Sequence, residues 1–205
     1  MSSQNIEIFD CEQNSPEWDE LRRGCITASQ FSAVMSKGRG SAPSKTRRKY
    51  MLRLAADRLG ATPADNFSNS HMERGHLLEE EARNLYAFVK DVEPVLVGFV
   101  KNGEIGASPD AFLDSNGLLE IKTRLPELQL ECLEADKVPA ENITQCMGQL
   151  WVTQREYLDY VSFWPGLPIF IKRLERDEAK IAEIKISVEE FSDELNELVK
   201  RFRSM

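Results

Sequence analysis

The segment GASPDAFLDSNGLLEIKTR, at positions 106–124, sets charged residues into an apolar strand pattern. Asp110 stands at its entry, and Glu120 and Lys122 lie two positions apart in the run that follows the turn. Charged side chains at half-buried strand positions cost free energy unless a partner satisfies them. The segment therefore predicts a β-hairpin whose charges surround a ligand, and a metal ion is the simplest ligand for two carboxylates.

The relative position of these charges depends on the register of the hairpin. Side chains alternate across a strand, so Glu120 and Lys122 share one face, about 7 Å apart. A two-residue loop at 116–117 would put Asp110 on the opposite face. We instead expect a three-residue loop at 115–117, with its glycine in the left-handed conformation. That loop pairs Asp110 with Lys122 and brings all three charges together.

Two carboxylates at this separation suit Mg²⁺, which takes one or two carboxylates and fills its octahedron with water and substrate oxygens. A bound ion would polarise a phosphoryl oxygen and lower the pKa of a water, and a second ion could steady the leaving oxygen. Lys122 would orient or help deprotonate that water and stabilise the added negative charge. The same tripeptide pattern recurs at 178–180 and 183–185, within helical periodicity. The strand position and the preceding Pro-Asp therefore carry the prediction, and an exposed hairpin edge is the alternative.

A further acid is expected from the helix predicted at 71–90. Its apolar face is formed by positions 78, 82, 85 and 89. Glu80 points away from this face, whereas Glu79 and Glu81 flank it on opposite sides. The helical period does not choose between Glu79 and Glu81, and a solvated helix flank is the alternative for each.

Helical and strand patterns alternate along the rest of the chain. Helices are predicted at 15–24, 27–35, 45–60, 71–90, 126–136, 141–154 and beyond 177. Strands are predicted between 93 and 123 and as a pair at 156–164 and 167–175. The last helical pattern has apolar residues at 3–4 spacing, so it predicts one long helix, or two in line, packed on the body or on another subunit. These residues are Ile181, Ile184, Val188, Phe191, Leu195, Leu198 and Phe202. Helices flanking a central mixed β-sheet make an α/β (α+β) fold, and 205 residues suit a single domain, 1–205.

The charge is unevenly distributed. The formal net charge of −8 argues at first against a nucleic-acid partner. Between 37 and 58, however, a cationic segment can bind phosphate locally, although a solvated helix face is the alternative. Its bases are Lys37, Arg39, Lys45, Arg47, Arg48, Lys49, Arg53 and Arg58, against the acid Asp57. No apolar run approaches the roughly 18 residues of a membrane span, and the first residues lack a signal-peptide pattern, so a cytoplasmic location is expected.

Several motifs in order give the chain a recognisable signature. It resembles the lambda-type phage recombination exonucleases, the YqaJ-like branch of the PD-(D/E)xK nucleases, which implies a core like that of restriction endonucleases. The motifs are Trp18-x-x-Leu-Arg-x-Gly-x-Ile-Thr-Ala-Ser29, Gly75-x-x-x-Glu79-x-x-Ala-Arg83, Ser108-Pro-Asp110, Glu120-Ile-Lys122, a glutamine-bearing helix before Trp151-Val-Thr153, and Glu175-Arg-Asp-Glu178.

The resemblance implies a metal-dependent exonuclease that digests one strand of linear duplex DNA in the 5′ to 3′ direction. The expected products are 3′ single-stranded overhangs for recombination by strand annealing. It makes Asp110, Glu120 and the main-chain carbonyl of Ile121 metal ligands. It makes Lys122 the catalytic lysine and gives Glu79 the helix-acid role, as a direct ligand or through water. The implied cofactor is Mg²⁺, one or two ions, with Mn²⁺ as a substitute.

The resemblance also implies a site for the terminal 5′-phosphate, formed by Arg22, Ser29 and Ser108. A guanidinium and hydroxyls suit that task, because their donors fit phosphate oxygens. Gln145 is implied to act near the active site. Gln145 and Gln149 fall on one side of their helix, and a wet helix flank is the alternative for both. A methionine stands between them where the family pattern has a polar residue.

Members of this family are similar in forming trimeric rings around DNA and in acting with a single-strand annealing protein. The resemblance therefore implies double-stranded DNA ends, a homotrimer and an annealing protein as partners, in a bacterial host that carries a phage or prophage. A structure- or site-specific endonuclease on the same core is one alternative, but it has no need of the segment from Arg22 to Ser29. A non-catalytic DNA-end-binding module is another, but it would have lost one of the acids or the lysine.

Overall fold

The computed structural model of the chain describes residues 6–38, 43–62 and 70–205. A short 3-10 turn at Ala28–Gln30 lies between the second strand and the second helix. In these ranges the elements follow in the order β1 (Ile6–Phe9), α1 (Pro16–Arg22), β2 (Ile26–Thr27), α2 (Phe31–Val34), α3 (Lys45–Arg58), α4 (Ser70–Lys90), β3 (Phe99–Asn102), β4 (Ile105–Ala107), β5 (Ala111–Phe112), β6 (Gly117–Thr123), α5 (Pro126–Ala135), α6 (Ala140–Thr153), β7 (Tyr157–Phe163), β8 (Phe170–Glu175) and α7 (Glu178–Arg203). The mixed α/β architecture is confirmed.

The strands of the described residues form two four-stranded mixed sheets. The first has the order β1-β3-β4-β2, in which β2 and β4 are parallel. The second has the order β5-β6-β7-β8, in which β6 and β7 are parallel. The strands expected in one central sheet are therefore divided between two. The division falls at Ser108-Pro109, because proline lacks the N–H group that a strand ladder requires.

Helix α6 fixes the relation between the sheets and the helices. It contacts β3, β4 and β7 as well as α2 and α7. Gly148 permits the closest approach, since a Cβ at this position would lie 2.5 Å from the ring of Phe31. Trp151 packs on the same ring, with ring centroids 5.6 Å apart. The apolar side of α6 is therefore locked in the core, and this sets the position of the polar residues that α6 also carries.

The amphipathic patterns of α4 and α7 are confirmed except at their ends. In α4, Ala82 is buried as expected, but Tyr86 is buried in place of Val89, which is 50% exposed. Helix α7 is one continuous helix whose predicted stripe is buried up to Leu198, whereas Phe202 is 38% exposed. Val89 and Phe202 both lie in the last turn of their helices. Helix α7 packs on α2, α3 and α6, that is, on the body of the same chain.

Two predicted helix starts have different outcomes. Ser15 caps α1, since its Oγ accepts a hydrogen bond from the N–H of Trp18 at 3.2 Å. The helix predicted at 27–35 does not begin at Thr27, because Thr27 belongs to β2, pairs with Gly106 of β4 and makes no capping hydrogen bond. Helix α2 begins only at Phe31. None of the helices in the described ranges has the length and apolar character needed to span a membrane.

Candidate active site

The hairpin of β5 and β6 brings the predicted charges to one side in a register other than the expected one. Ala111 lies opposite Leu119, which leaves a three-residue loop at 114–116. The expected pairing of Asp110 with Lys122 is therefore wrong by two positions, and the glycine expected to be left-handed begins β6 instead. A shift of two residues keeps the same face of a strand, because side chains alternate with a period of two. The three charges consequently still converge.

Asp114 closes this loop. Its Oδ1 accepts hydrogen bonds from the backbone N–H groups of Asn116 and Gly117, both at 2.7 Å. Its Oδ2 accepts one from the hydroxyl of Tyr157 on β7, also at 2.7 Å. These hydrogen bonds, that of Tyr157 first, lower the pKa of Asp114. A Cβ on Gly117 would lie 2.3 Å from the Tyr157 ring, so glycine is required here for close contact between β6 and β7.

Glu120 lies at the centre of the site and is held from several directions. Its side chain is only 2% exposed. Oε1 accepts a hydrogen bond from Nε2 of Gln145 at 2.6 Å, and Oε2 accepts one from Nε2 of Gln149 at 2.6 Å. Nζ of Lys122 forms an ion pair with Oε1. Because α6 and β6 are both fixed by the core, the orientation of this buried carboxylate is set by the fold.

Asp110 lies beside Glu120, at the end of the connection between the two sheets. Its Oδ2 accepts a hydrogen bond from the backbone N–H of Ile121. Burial raises the pKa of Asp110 well above its ordinary value, and the nearby carboxylates of Glu120 and Glu79 raise it further. Lys122 and the hydrogen bond from Ile121 act in the opposite direction. The site thus concentrates negative charge in a poorly solvated position, which a bound cation would relieve.

Lys122 supplies positive charge to this cluster. Burial on its own would lower the pKa of Lys122, but the carboxylates of Glu120 and Asp110 outweigh burial and raise it above the ordinary value. The side chain is 33% exposed, so the ammonium group contacts Glu120 and still faces the cleft. A protonated lysine is therefore directed at the space that a substrate would occupy.

The helix acid nearest to this cluster is Glu79 of α4. It lines a groove together with Asp110, and its charge acts on the pKa of Asp110. It also forms an ion pair with Arg83 at 3.4 Å, one turn further along α4. Glu80 and Glu81 are exposed. The structure therefore places Glu79, of the two acids that the sequence pattern left open, on the side of the hairpin.

The three residues predicted for a 5′-phosphate line the same cleft as the acids. The guanidinium of Arg22 stacks over the ring of Trp18, 3.7 Å from the ring centroid. Nε1 of Trp18 donates to Oγ of Ser108 at 3.0 Å, so one indole holds both side chains. Ser29 is exposed and its Oγ lies 3.4 Å from Oγ1 of Thr27. Burial lowers the pKa of Arg22, as expected for a cation held against an aromatic wall.

These groups surround one cleft of about 180 Å³. A wider groove of about 520 Å³ continues past Lys122 and is also lined by Glu79 and Arg124. The residues of the smaller cleft that the sequence analysis singled out are Trp18, Arg22, Ser29, Ser108, Asp110, Glu120, Lys122, Gln145 and Gln149. The acids, the lysine and the candidate phosphate donors are therefore close enough to act on one substrate end.

The donor set fits a hard divalent cation better than a zinc ion. Within the described ranges, no three His, Cys, Asp or Glu side chains are grouped so that they alone could hold a metal. A structural zinc site needs four such ligands, whereas Mg²⁺ is commonly held by one or two carboxylates, with water and substrate oxygens completing the shell. Asp110 and Glu120 are two carboxylates of this kind, and the main-chain carbonyl of Ile121 lies between Glu120 and Lys122 in the sequence.

The sequence alone indicates no individual role for Trp18 or Asp114, and it leaves the role of Gln149 open. Trp18 could have been found, because residues four apart on a helix are neighbours and Arg22 follows it by four. Asp114 could have been found from the tendency of aspartate to accept hydrogen bonds from the backbone two residues on. Gln149 is 1% exposed, which excludes a wet helix flank for this residue.

Two acids beside a lysine, in a cleft that also presents a guanidinium and hydroxyl groups, form the arrangement expected of a nuclease. The YqaJ-like viral recombinase domain model matches residues 17–156 of the chain. A crystal structure of an alkaline exonuclease, LHK-Exo, from Laribacter hongkongensis is 33% identical, with a TM-score of 0.82 over 93% of this chain and 97% of that one. The same relative in complex with dAMP superposes with a TM-score of 0.83.

A phage-related exonuclease from Haemophilus somnus 129PT shares the fold, with a TM-score of 0.64 over 87% of this chain and 96% of that one, at 16% identity. A search of curated protein sequences found no match. The chain belongs to the YqaJ-like viral recombinase family, and it is a nuclease that acts on DNA.

Proposed function

We propose that the chain, as one nuclease domain over 1–205, is a Mg²⁺-dependent exonuclease. It degrades one strand of linear double-stranded DNA from 5′-phosphorylated ends in the 5′ to 3′ direction and leaves 3′ single-stranded overhangs. The observation that carries this proposal is the shared cleft. Arg22 and Ser108, joined through Trp18, line the same cleft as Asp110, Glu120 and Lys122. A cleft with room for a terminal phosphate beside a cleavage site suits an enzyme that starts at ends.

The relatives support exonuclease chemistry. The Laribacter protein is an alkaline exonuclease that has been crystallised in complex with dAMP. A deoxynucleoside monophosphate of that kind is the product we expect this chain to release from a DNA end.

The first group of residues proposed to act in phosphodiester hydrolysis consists of those that would hold the metal. Asp110, Glu120 and the carbonyl of Ile121 would hold Mg²⁺, with Glu79 acting directly or through water, and Mn²⁺ would be accepted as a substitute. When bound, one or two such ions polarise the phosphoryl oxygen and lower the pKa of a water. Glu120 is kept in one orientation by the glutamines of α6. Asp110 is kept in place by the backbone N–H of Ile121.

Lys122, Arg22 and Gln145 would act on the substrate or its water. The ammonium of Lys122 donates hydrogen bonds toward the scissile phosphate and its attacking water, where negative charge develops. Arg22 presents a planar fork of donors to the terminal phosphate, and the Trp18 ring fixes the plane of that fork. Gln145 is half-exposed beside Glu120, so its amide is within reach of a water in the cleft. Ser29 and Ser108 add hydroxyl donors to the phosphate wall.

The oligomeric state, the partner protein and the host cell follow from the resemblance and from the charge distribution. We propose a homotrimeric ring around DNA, acting with a single-strand annealing protein on the overhangs that it produces. We further propose that the chain is encoded by a phage or prophage and works in the cytoplasm of the bacterial host. The net charge of −8 together with the cationic segment at 37–58 supports a ring whose basic surface faces DNA. A monomeric mass at micromolar concentration would contradict the ring.

The test uses a linear duplex with 5′-phosphate ends, the same duplex with 5′-hydroxyl ends, and a covalently closed circle. Each is incubated in Mg²⁺ with the wild-type protein and with the Lys122→Ala variant, and mononucleotide release is followed. We expect rapid loss of the 5′-phosphorylated linear DNA alone, abolished by Lys122→Ala. A matched control is Lys101→Ala, a half-buried lysine on β3 that does not line the cleft.

Cutting of the closed circle would overturn the exonuclease and favour an endonuclease on the same core. Equal rates on 5′-phosphate and 5′-hydroxyl ends would overturn the role of Arg22, Ser29 and Ser108. No Mg²⁺-dependent cleavage of any substrate would leave a DNA-end-binding module.

A further inference from the structure

The structure separates the bases of the cationic segment into those that hold the fold together and those that do not. The two terminal nitrogens of the Arg47 guanidinium, Nη1 and Nη2, donate to the carboxylate of Glu194 on α7, at 2.7 and 2.8 Å. The Nε of Arg47 donates to the carbonyl of Val34 at 3.1 Å. Arg58 donates to the carbonyl of Gly24 at 2.9 Å and to Asn196 of α7 at 2.7 Å. Both arginines are therefore committed to packing α3 against the body. Arg39 lies outside the described residues.

Lys45, Lys49 and Arg53 form a different group, which we call the α3 basic face. All three are exposed, and they follow one another at intervals of four residues. Successive members are therefore rotated by about 40° around the helix axis, which puts the whole set on one flank. Within the described part of the chain, none of the three forms an ion pair at 4.0 Å or less. The guanidinium of Arg53 lies over the ring of Tyr50, 5.1 Å from its centroid, whereas the ammonium groups of Lys45 and Lys49 are exposed to solvent.

Lys45, the first member of the α3 basic face, is unfavourable to the helix that carries it. No acid occupies the first turn of α3, where Lys45 lies close to the positive end of the helix dipole. Positive charge in the first turn is unfavourable to a helix, and this effect falls off beyond that turn. Neither helix capping nor packing explains why bases are placed there, because Ser44 supplies the cap and Arg47 supplies the contact to α7. A bound anion would neutralise this positive charge, and relief of the unfavourable interaction would contribute to its binding.

The α3 basic face leads directly to the cleft. Arg53 and Arg22 line one groove of about 550 Å³, together with Thr27 and Tyr50. The two guanidinium groups are close enough for the charge of Arg53 to lower the pKa of Arg22. The groove also contains acids, namely Asp19, Glu20 and Asp57. Arg22 lines both this groove and the catalytic cleft, so the two are joined at that residue.

We propose that the α3 basic face binds the phosphate backbone of the DNA duplex next to the end held by Arg22. This inference rests on the proposed function, because it takes DNA as the substrate of the cleft. Lys45 and Arg53 are eight residues apart, which corresponds to about 12 Å along a helix. One strand of a duplex carries a negative charge about every 3.4 Å of its axis, so this length spans roughly three or four phosphates. Backbone phosphates carry no sequence information, which suits an enzyme that digests any sequence.

The test measures binding rather than cleavage. Fluorescence anisotropy follows a labelled 5′-phosphorylated duplex in EDTA, so that no cleavage occurs, between 50 and 200 mM salt. The variant Lys45→Gln/Lys49→Gln removes two phosphate contacts. Each contact contributes about 0.9 to the slope of log affinity against log salt. We expect the slope to fall by about 1.8, and the affinity at 0.15 M salt to fall by up to about 30-fold.

Two matched variants separate a local contact from a general effect of charge. Lys180→Gln/Lys185→Gln removes the same number of lysines from the exposed side of α7 and should leave the slope unchanged. Lys45→Arg/Lys49→Arg keeps the charge and should retain wild-type binding. Arg47→Gln should lower the melting temperature while leaving the slope unchanged, because its contacts are internal. Circular dichroism establishes that each variant is folded.

Equal loss of slope in Lys45→Gln/Lys49→Gln and Lys180→Gln/Lys185→Gln would overturn the proposal, as would no loss in the first variant. A wild-type protein that binds no duplex at 50 mM salt would also overturn it. A protein that binds in EDTA with the expected slopes but cleaves nothing in Mg²⁺ would support the α3 basic face and contradict the proposed function.

Discussion

Gln149 donates a hydrogen bond from its Nε2 to Oε2 of Glu120 over 2.6 Å, from a position in the core where it is 1% exposed. Gln145, one turn earlier on α6, donates to the other oxygen of the same carboxylate at 2.6 Å. A buried carboxylate with a donor on each oxygen has little freedom to rotate. Helix α6 therefore fixes the orientation of the acid that we propose as a metal ligand.

The first prediction is that Gln149→Leu destabilises the protein and weakens its response to metal. Removing the donor leaves Oε2 of Glu120 buried without a partner, which costs about 1–3 kcal/mol. In a chain of this length we expect the melting temperature to fall by about 2–4 °C for each kcal/mol. The freed carboxylate should also require a higher Mg²⁺ concentration for half-maximal cleavage. Thermal unfolding and a Mg²⁺ titration of mononucleotide release measure the two effects.

Gln145→Leu is the matched comparison, because it removes the same group from the same carboxylate at a half-exposed position. Water can replace its hydrogen bond, so its loss of stability should be the smaller of the two. Equal losses in both variants would contradict the idea that burial makes Gln149 the stronger restraint.

The second prediction is that Asp110→Asn makes the protein more stable and inactive. Burial and the charges of Glu120 and Glu79 raise the pKa of Asp110, so the ionised form is disfavoured in the folded chain. Asparagine keeps an oxygen for the N–H of Ile121 and removes the charge. We expect a rise in melting temperature of about 2–4 °C without metal, which corresponds to about 1 kcal/mol, and no measurable Mg²⁺-dependent cleavage.

The gain in stability from Asp110→Asn should increase as pH rises. A carboxyl whose pKa is raised on folding binds more protons in the folded state, so its ionisation makes the wild-type protein less stable as pH rises. Asp110→Asn should therefore stabilise more at pH 8.5 than at pH 5.5. Asp193→Asn, which removes an exposed carboxylate from α7, should show no such difference. A gain at pH 5.5 that equals or exceeds the gain at pH 8.5 would refute the prediction.

The sequence was sufficient for the parts of the molecule that have a long, regular pattern. Helix α7 follows its 3–4 spacing over 26 residues, and β7 and β8 follow from two apolar runs around a turn. It was insufficient for β1 and for the two-residue β2, which were not predicted. Such short strands are defined by their partners, β3 and β4, rather than by a pattern of their own.

The candidate site was predictable as a set of residues but not as a geometry. Side chains alternate between the two faces of a strand, so a register shift of an even number of residues keeps Asp110 on the same face. The predicted register was wrong by two residues, and Asp110 therefore still lies on the side of Glu120 and Lys122. The loop itself was mispredicted because the side chain of Asp114, rather than a left-handed glycine, satisfies its backbone. The role of Trp18 depends on a hydrogen bond to Ser108, 90 positions away, which no local pattern contains.

The third prediction concerns the hydrogen bonds that Asp114 makes at the start of β6. Asp114→Ala removes acceptors for two backbone N–H groups and for the hydroxyl of Tyr157. We expect a loss of about 0.5–1.5 kcal/mol at pH 7, because water can replace most of these exposed hydrogen bonds, and the loss is measured from the midpoint of urea unfolding. Because folding lowers the pKa of Asp114, its contribution is present above the unfolded pKa of about 3.9 and is lost as pH falls through the lower folded value.

Ser115→Ala, in the same exposed loop, is the control and should change the midpoint little. The difference between wild type and Asp114→Ala should narrow between pH 7 and pH 3.5. A difference that stays constant over this range would mean that the carboxylate charge contributes nothing to the loop.

The fourth prediction is that Arg22→Lys reduces the preference for 5′-phosphorylated ends. Lysine keeps the positive charge but lacks the planar fork that binds phosphate through two hydrogen bonds and stacks on Trp18. Losing one charge-assisted hydrogen bond costs about 1.5–3 kcal/mol, which corresponds to roughly 10- to 150-fold in kcat/KM on 5′-phosphorylated duplex. The value on 5′-hydroxyl duplex should change little, because that end offers the guanidinium no phosphate to bind.

Arg23→Lys is the matched control, because Arg23 is the adjacent residue but pairs with Glu20 at 3.6 Å and does not line the cleft. It should leave the ratio of kcat/KM on the two ends at the wild-type value. If Arg22→Lys lowered both values by the same factor, the guanidinium would act on the whole duplex rather than on the terminal phosphate. The preference for phosphorylated ends would then have to come from the hydroxyl groups of Ser29 and Ser108, and Ser108→Ala would be the variant that removes it.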